Sequence, residues 1–292
     1  MDRIKKLIYR ISLLFRNKGL GKRFPILRKM QNKLFESSRK HFIITEGHKM
    51  YLDEKDMLGL SLCGDYEEKM VRFMKSQVHE GDTVLDLGAN IGHYTLKFSK
   101  IVGERGKVYA FEPDPINFKL LELNILINGY KNTIPFQKAV SNKAGKVKFY
   151  ISNAKSHNLY KCDYHDVITV DSVKLDDFLR EKKVDFVKID IEGAEGEAIK
   201  STDKIIHQNK NIRILFEFKK IIDKTEVSCK ELLDYLEGLG FIFFQVNDRF
   251  VNKFNKDIPI SSKKLLKDYN EGWVKNKEYC TDIFAVRKNN WK

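Results

Sequence analysis

Apolar residues recur at i, i+3, i+4 and i+7 through the first sixteen positions. Ile4, Leu7, Ile8, Ile11, Leu14 and Phe15 form one stripe, flanked by Lys5, Lys6, Arg10 and Arg16. That spacing predicts an amphipathic helix, stopped at Asn17-Lys18-Gly19. From residue 66 short apolar runs begin to alternate with helical patterns. Helices are predicted over 66–78, 90–102, 116–128 and 230–239. Strands are predicted over 83–88, 107–111, 133–140, 146–152, 167–173, 184–191, 212–218, 241–246 and 282–287. Such alternation predicts an α/β fold with an open, mostly parallel sheet and helices on both faces. No clear crossover helix separates the runs at 241 and 282, so the last strand is expected to be antiparallel.

Composition narrows the class. The 292 residues are 42% hydrophobic, enough to bury a core. No uncharged apolar run approaches 18 residues, so no membrane-spanning helix is expected. Cys63, Cys162, Cys229 and Cys280 lie far apart without a CxxC pair. That excludes a zinc ribbon or thioredoxin-type motif and points to a reducing compartment.

The net charge of +14 is unevenly placed. Residues 1–50 hold 14 Lys+Arg against 3 Asp+Glu, and the remaining 242 hold 40 against 37. A nearly neutral domain argues against a nucleic-acid partner, which favours a basic stripe on the folded surface. The chain therefore reads as a basic, helical N-terminal extension (residues 1–60) followed by one domain (61–292). The helix in residues 1–20 can pack on that domain or lie on an anionic membrane surface. The expected location is the cytoplasm, with a peripheral position at the membrane on the second reading.

The first predicted strand runs into Asp86-Leu-Gly88-Ala-Asn90-Ile-Gly92, a strand-to-helix turn that aims backbone N–H groups at a ligand. Gly88 and Gly92 lack the Cβ atoms that would hinder close approach. Glu112 ends the second strand, where an acid can accept both hydroxyls of a ribose. A dinucleotide would want glycine where Asn90 stands. The acids suit instead a donor that carries positive charge, S-adenosylmethionine.

These segments, with Phe111-Glu-Pro113 and Lys188-Ile-Asp-Ile-Glu-Gly-Ala-Glu195, resemble the FkbM-type methyltransferases. Gly64-Asp-Tyr-Glu67, Asn124 with Asn128, Lys138-Ala-Val-Ser141 and Leu215-Phe-Glu217 extend the resemblance over roughly residues 60–220. It implies a class I (Rossmann-like) methyltransferase fold with a seven-stranded sheet, S-adenosylmethionine as donor and a hydroxyl acceptor. Sugars and polyketides are the acceptors usually associated with the family. The cofactor set is then Asp86, Gly88, Asn90, Gly92, Glu112 and Ala139.

Lys188, Asp190 and Glu192 alternate, so they share a face if the strand stays extended. Asp86 and Asp190 are expected to point into the crevice at the carboxyl ends of the strands, with Glu217 beside them. Asp190 or Glu192 is the expected catalytic group, accepting the acceptor's proton; either could hold the donor's ammonium instead. Lys188, Glu217 and His157 are the expected acceptor-binding residues, and His93 is more readily a packing residue. Asp190, Glu192 and Glu217 offer hard oxygen ligands, but no sequence feature demands a metal. Aromatics among residues 248–281 (Phe250, Phe254, Tyr269, Trp273 and Tyr279) could stack on a sugar. The expected activity is O-methylation of a glycan, glycolipid or related small molecule. The alternatives are a methyltransferase of nucleic acid or protein and a non-catalytic, membrane-recruited binding module.

Overall fold

The computed structural model describes residues 41–290 apart from 55, 57, 64–66, 153–158, 160–163, 165, 180–182, 220–224, 249–258 and 277–279. Side chains are not described at 62, 63, 68, 247, 248, 269, 271–276 and 280. The expected N-terminal amphipathic helix, His157, and the aromatic side chains of residues 250, 254, 269, 273 and 279 lie outside what is described.

The strands in chain order are β1 (Phe42–Thr45), β2 (His48–Tyr51), β3 (Thr83–Leu87), β4 (Lys107–Phe111), β5 (Thr133–Phe136) and β6 (Ala139–Val140). Then follow β7 (Gly145–Ile151), β8 (Asp166–Val173), β9 (Phe186–Ile189), β10 (Arg213–Lys219), β11 (Phe241–Asp248) and β12 (Cys280–Arg287). The main sheet has seven strands in the order β11-β12-β10-β9-β3-β4-β5. β5, β4, β3, β9 and β10 run parallel, whereas β12 inserts between β10 and β11 antiparallel to both. This is the class I methyltransferase sheet with the expected antiparallel last strand, although a helix does lie between β11 and β12.

Alternation builds two cores from the same strands. Leu85, Leu87, Val187, Ile189, Ile214 and Phe216 face the helices Glu195–Ser201, Asp203–Gln208 and Cys229–Gly238. Val84, Phe186, Leu215 and Phe284 face the helices Glu68–Gln77 and His93–Val102. Every residue of β3 and β9 is buried, which is why both read as largely apolar runs, broken only by the polar Thr83, Asp86 and Lys188.

Three sequence expectations change. The run 133–140 divides: β5 ends the main sheet, whereas β6 joins β8 and β7 in a separate three-stranded sheet. Pro135, which cannot donate to a ladder, fits β5 as an edge strand. The irregular stretch after β11 contains the helix Ser262–Asn276. Residues 42–51, assigned to the helical extension, form a β-hairpin through Glu46 (φ 48°) and Gly47 (φ 83°). Ile43, Met50 and Leu52 pack it against Ala89, Ile91 and Leu121 of the domain. The turn lacks the Asn-Gly or Asp-Gly pair that would have marked it.

Candidate active site

The donor side begins where β3 ends. The Gly88 and Ala89 N–H groups both donate to the Phe111 carbonyl, at 3.0 and 2.9 Å, binding the turn to the end of β4. Asn90 (φ 51°) and Gly92 (φ 93°) adopt left-handed backbone on either side of Ile91. The glycines serve the protein's own packing. A Cβ on Gly88 would lie 1.9 Å from the Asp190 carbonyl oxygen, and one on Gly92 would lie 2.9 Å from Leu121 Cδ1.

Glu112, 5% exposed, stands beside this turn. One carboxylate oxygen accepts from the Asn90 N–H at 2.8 Å and the other from the Asp114 N–H at 2.9 Å. Burial pushes its carboxyl up to about 8, against the pull of those two N–H groups. A carboxylate offers about four lone-pair sites, so each oxygen keeps one acceptor position. Two remaining acceptors on one rigid group match the vicinal hydroxyls of a ribose, and the residues present therefore fit an adenosyl donor.

Asp86 occupies a different place from the one expected. Its carboxylate is fully buried below the crevice, accepting from Thr95 Oγ1 at 2.6 Å and facing Lys188 Nζ at 3.7 Å. Lys188 is itself buried, 3.3 Å from Asp190 Oδ2, with its ammonium 4.9 Å from the centre of the Tyr94 ring. Burial alone would lower the Lys188 pKa; Asp190 and Asp86 outweigh it and hold the ammonium well above the ordinary lysine range. Lys188 is thus a charged bridge between a buried acid and a crevice acid. His93, also buried, starts the following helix and packs edge-on against Tyr94. Ala139 lies buried on β6.

Asp190 is the acid that faces the crevice, with 42% of its side chain exposed. Beside it the chain leaves the sheet: β9 ends at Ile189 and Glu192 turns left-handed at φ 57°. The turn nonetheless gathers carboxylate oxygens of Asp190, Glu192 and Glu217 within 4.8 Å of one another. Lys219, two residues beyond Glu217 on β10, hydrogen-bonds both Glu192 and Glu217. The oxygens are of the kind that binds a divalent cation, and Lys219 already supplies positive charge to two of them. Burial raises Glu192 to about 7, with Lys219 pulling it down and Glu217 and Asp190 adding to the rise. For Lys219, burial acts downward and is overcome by Glu217, Glu192, Glu195 and Asp190.

A small crevice beside Lys188 and Asp190 is lined also by Glu67, Tyr94, Leu215 and Asp282. The Tyr94 hydroxyl donates to Glu67, so the segment before the first domain helix closes one wall. Sequence reasoning missed Lys219, Tyr94 and Asp282. Lys219 had a signal, the i, i+2 spacing from Glu217 on one strand. Asp282 had none, because its place depends on β12 inserting beside β10.

A family model described as a methyltransferase FkbM domain matches residues 86–243. The hexuronic acid methyltransferase AglP of Haloferax volcanii is 26% identical over 166 residues, covering 56% of this chain and 66% of that protein. The methyltransferase sdnD of Sordaria araneosa is 27% identical over 157 residues, covering 41% and 60%. The match thus spans less than two thirds of each of these relatives. Among solved structures, a methyltransferase FkbM from Methylobacillus flagellatus KT aligns with TM-score 0.43 and 12% identity, over 79% of this chain and 52% of that one.

Proposed function

This chain belongs to the FkbM methyltransferase family, whose donor is S-adenosylmethionine, and we propose that the whole protein methylates a hydroxyl of a glycan, glycolipid or related small molecule. The observation that carries this reading is the gathering of Asp190, Glu192 and Glu217 around Lys219 next to the donor turn. When bound, S-adenosylmethionine supplies an electrophilic methyl group on a sulfonium centre. Glu112 would hold the ribose hydroxyls and so fix the donor's position along the strand ends. Glu192, its carboxyl raised to about 7, would accept the hydroxyl proton as the oxygen–carbon bond forms and the sulfur–carbon bond breaks. Asp190, exposed beside it, is the alternative acceptor. Lys219 would pull the Glu192 carboxyl down against its burial and so favour the ionised form that accepts the proton. Holding the oxygen in line can supply about 7–11 kcal/mol of the barrier, and a placed base about 10²–10⁴-fold more.

The name of the Haloferax volcanii relative, a hexuronic acid methyltransferase, supports a sugar-derived acceptor. The test is transfer of isotope-labelled methyl from S-adenosylmethionine to a panel of glycans, using wild type, Asp190→Asn and Glu192→Gln. An O-methyl sugar in the mass spectrum, lost in at least one variant, supports the reading. Labelled nucleic acid or protein with no labelled glycan would overturn it.

The basic residues 1–20 fit a cytoplasmic enzyme held at an anionic membrane, where a lipid-linked glycan would be presented. Binding to phosphatidylserine vesicles should disappear when those residues are deleted; unchanged binding would sink this part of the reading.

A further inference from the structure

The β1–β2 hairpin and the donor turn share one side chain. Asn124, on the helix Pro115–Ile127, is fully buried. Its Oδ1 accepts from the Tyr51 N–H at 2.7 Å, while its Nδ2 donates to the Tyr51 carbonyl at 3.0 Å and to the Ile91 carbonyl at 2.8 Å. Both amide donors are therefore used, one on the hairpin and one in the centre of the turn.

One helical turn later Asn128 repeats the pattern on Lys49. Its Oδ1 accepts from the Lys49 N–H at 2.9 Å, and its Nδ2 donates to the Lys49 carbonyl at 2.7 Å and to the Asn124 carbonyl at 2.7 Å. Four helical residues rise about 6 Å and two strand residues about 6.7 Å, so the two amides can follow the edge of β2 as a third strand would. Asn128 bonds the hairpin and its own helix and does not reach the turn, whereas Asn124 bonds both hairpin and turn.

The turn needs such support. Ile91 sits between two left-handed residues, one of them the non-glycine Asn90, and such conformations persist only when their surroundings hold them. The Asn90 N–H is bonded to Glu112, so a shift at Ile91 moves the turn relative to the ribose-holding acid. Leu121, on the same helix, fills the space left by the absent Gly92 side chain.

We propose that Asn124 is a positioning residue of the donor site, and that the hairpin acts through it as a brace that sets the turn. The inference rests on the adenosyl-donor reading of this site. The test is isothermal titration of the full chain with S-adenosylhomocysteine, alongside thermal melting, for wild type, Asn124→Ala and Asn128→Ala. Both variants are expected to melt lower. Only Asn124→Ala should weaken the nucleoside, by about tenfold, as losing one well-placed hydrogen bond would; Asn128→Ala should stay within about twofold. In turnover the donor KM should rise while kcat at saturating donor holds. If Asn124→Ala fails to fold, Asn124→Asp takes its place, keeping the acceptor for the Tyr51 N–H and removing the amide donors to the Tyr51 and Ile91 carbonyls. Equal affinity in all three proteins, or equal loss in both variants, would overturn the brace. Absence of binding by folded wild type would instead overturn the donor reading.

Discussion

Lys188 Nζ stands 3.7 Å from Asp86 Oδ1 with both groups buried, so the strand end that carries the crevice acids is underlain by an ion pair. The pair is costly to split, because removing one partner strands a charge away from water. Lys188→Met is expected to cost about 3–5 kcal/mol. Asp86→Asn combined with Lys188→Met should recover much of that loss. Denaturant melts of the two single variants and the double variant give the coupling; additive losses would show that the two groups do not act as a pair.

The acid cluster should be visible in the pH profile. Glu192, raised to about 7 by burial, must be ionised to accept a proton. The rate is therefore expected to fall as pH drops below about 7. Lys219→Met should move this acid limb to higher pH, because the ammonium holds Glu192 down; Lys219→Arg should leave it nearly in place. Glu192→Gln should lower kcat by about 10²–10⁴-fold with donor affinity kept. Since the acids interact, the limb belongs to the cluster as a whole. A limb that ignores Lys219→Met would contradict this arrangement.

Donor binding should release protons. Free Glu112 titrates at about 8 because of its burial, and two ribose hydroxyls would favour its ionised form. Its pKa thus falls on binding, so affinity is full above pH 8 and declines as pH drops through the lower, bound pKa. Titration at pH 7 in buffers of different ionisation enthalpy should reveal up to about one proton released. Glu112→Gln should abolish that release and weaken binding by at least about tenfold. Proton-neutral binding by wild type would remove Glu112 from the ribose.

Glu195 affects stability. It is fully buried, with one oxygen accepting from the Gly193 N–H at 3.0 Å and the other without a hydrogen-bond partner among the described residues. Burial raises it to about 8, above its unfolded value. Its contribution is therefore full below about pH 4.5 and is lost as pH rises through 8. Glu195→Gln cannot ionise, so its Tm relative to wild type should climb between pH 5 and pH 8. A difference that stays constant across that range would show the carboxylate ionised throughout.

Period and punctuation carry much of this protein. The short apolar runs at 83–88, 184–191 and 212–218 marked β3, β9 and β10 as strands, and the structure assigned their residues to two core faces. The run from Asp86 to Gly92, Glu112 at the next strand end, and Lys188 with Asp190 marked the crevice, because such turns and acids follow from strands ending together at one sheet edge. The hairpin was hidden, since four-residue strands before an unusual Glu46-Gly47 turn carry little periodicity.

What the sequence alone determined is the order of elements, the parallel sheet with its antiparallel last strand, and the acids that crowd its carboxyl edge. All are local consequences of residue type and spacing. Only the tertiary structure decided that Asp86 is buried under Lys188, that Lys219 joins Glu192 to Glu217, and that Asn124 joins Tyr51 to Ile91. The Asp86–Lys188, Glu192–Lys219, Tyr51–Asn124 and Ile91–Asn124 pairings cross 102, 27, 73 and 33 positions of chain. They depend on which strand lies beside which and on which side chain reaches the dry side of the sheet, and no local pattern encodes that distance in space.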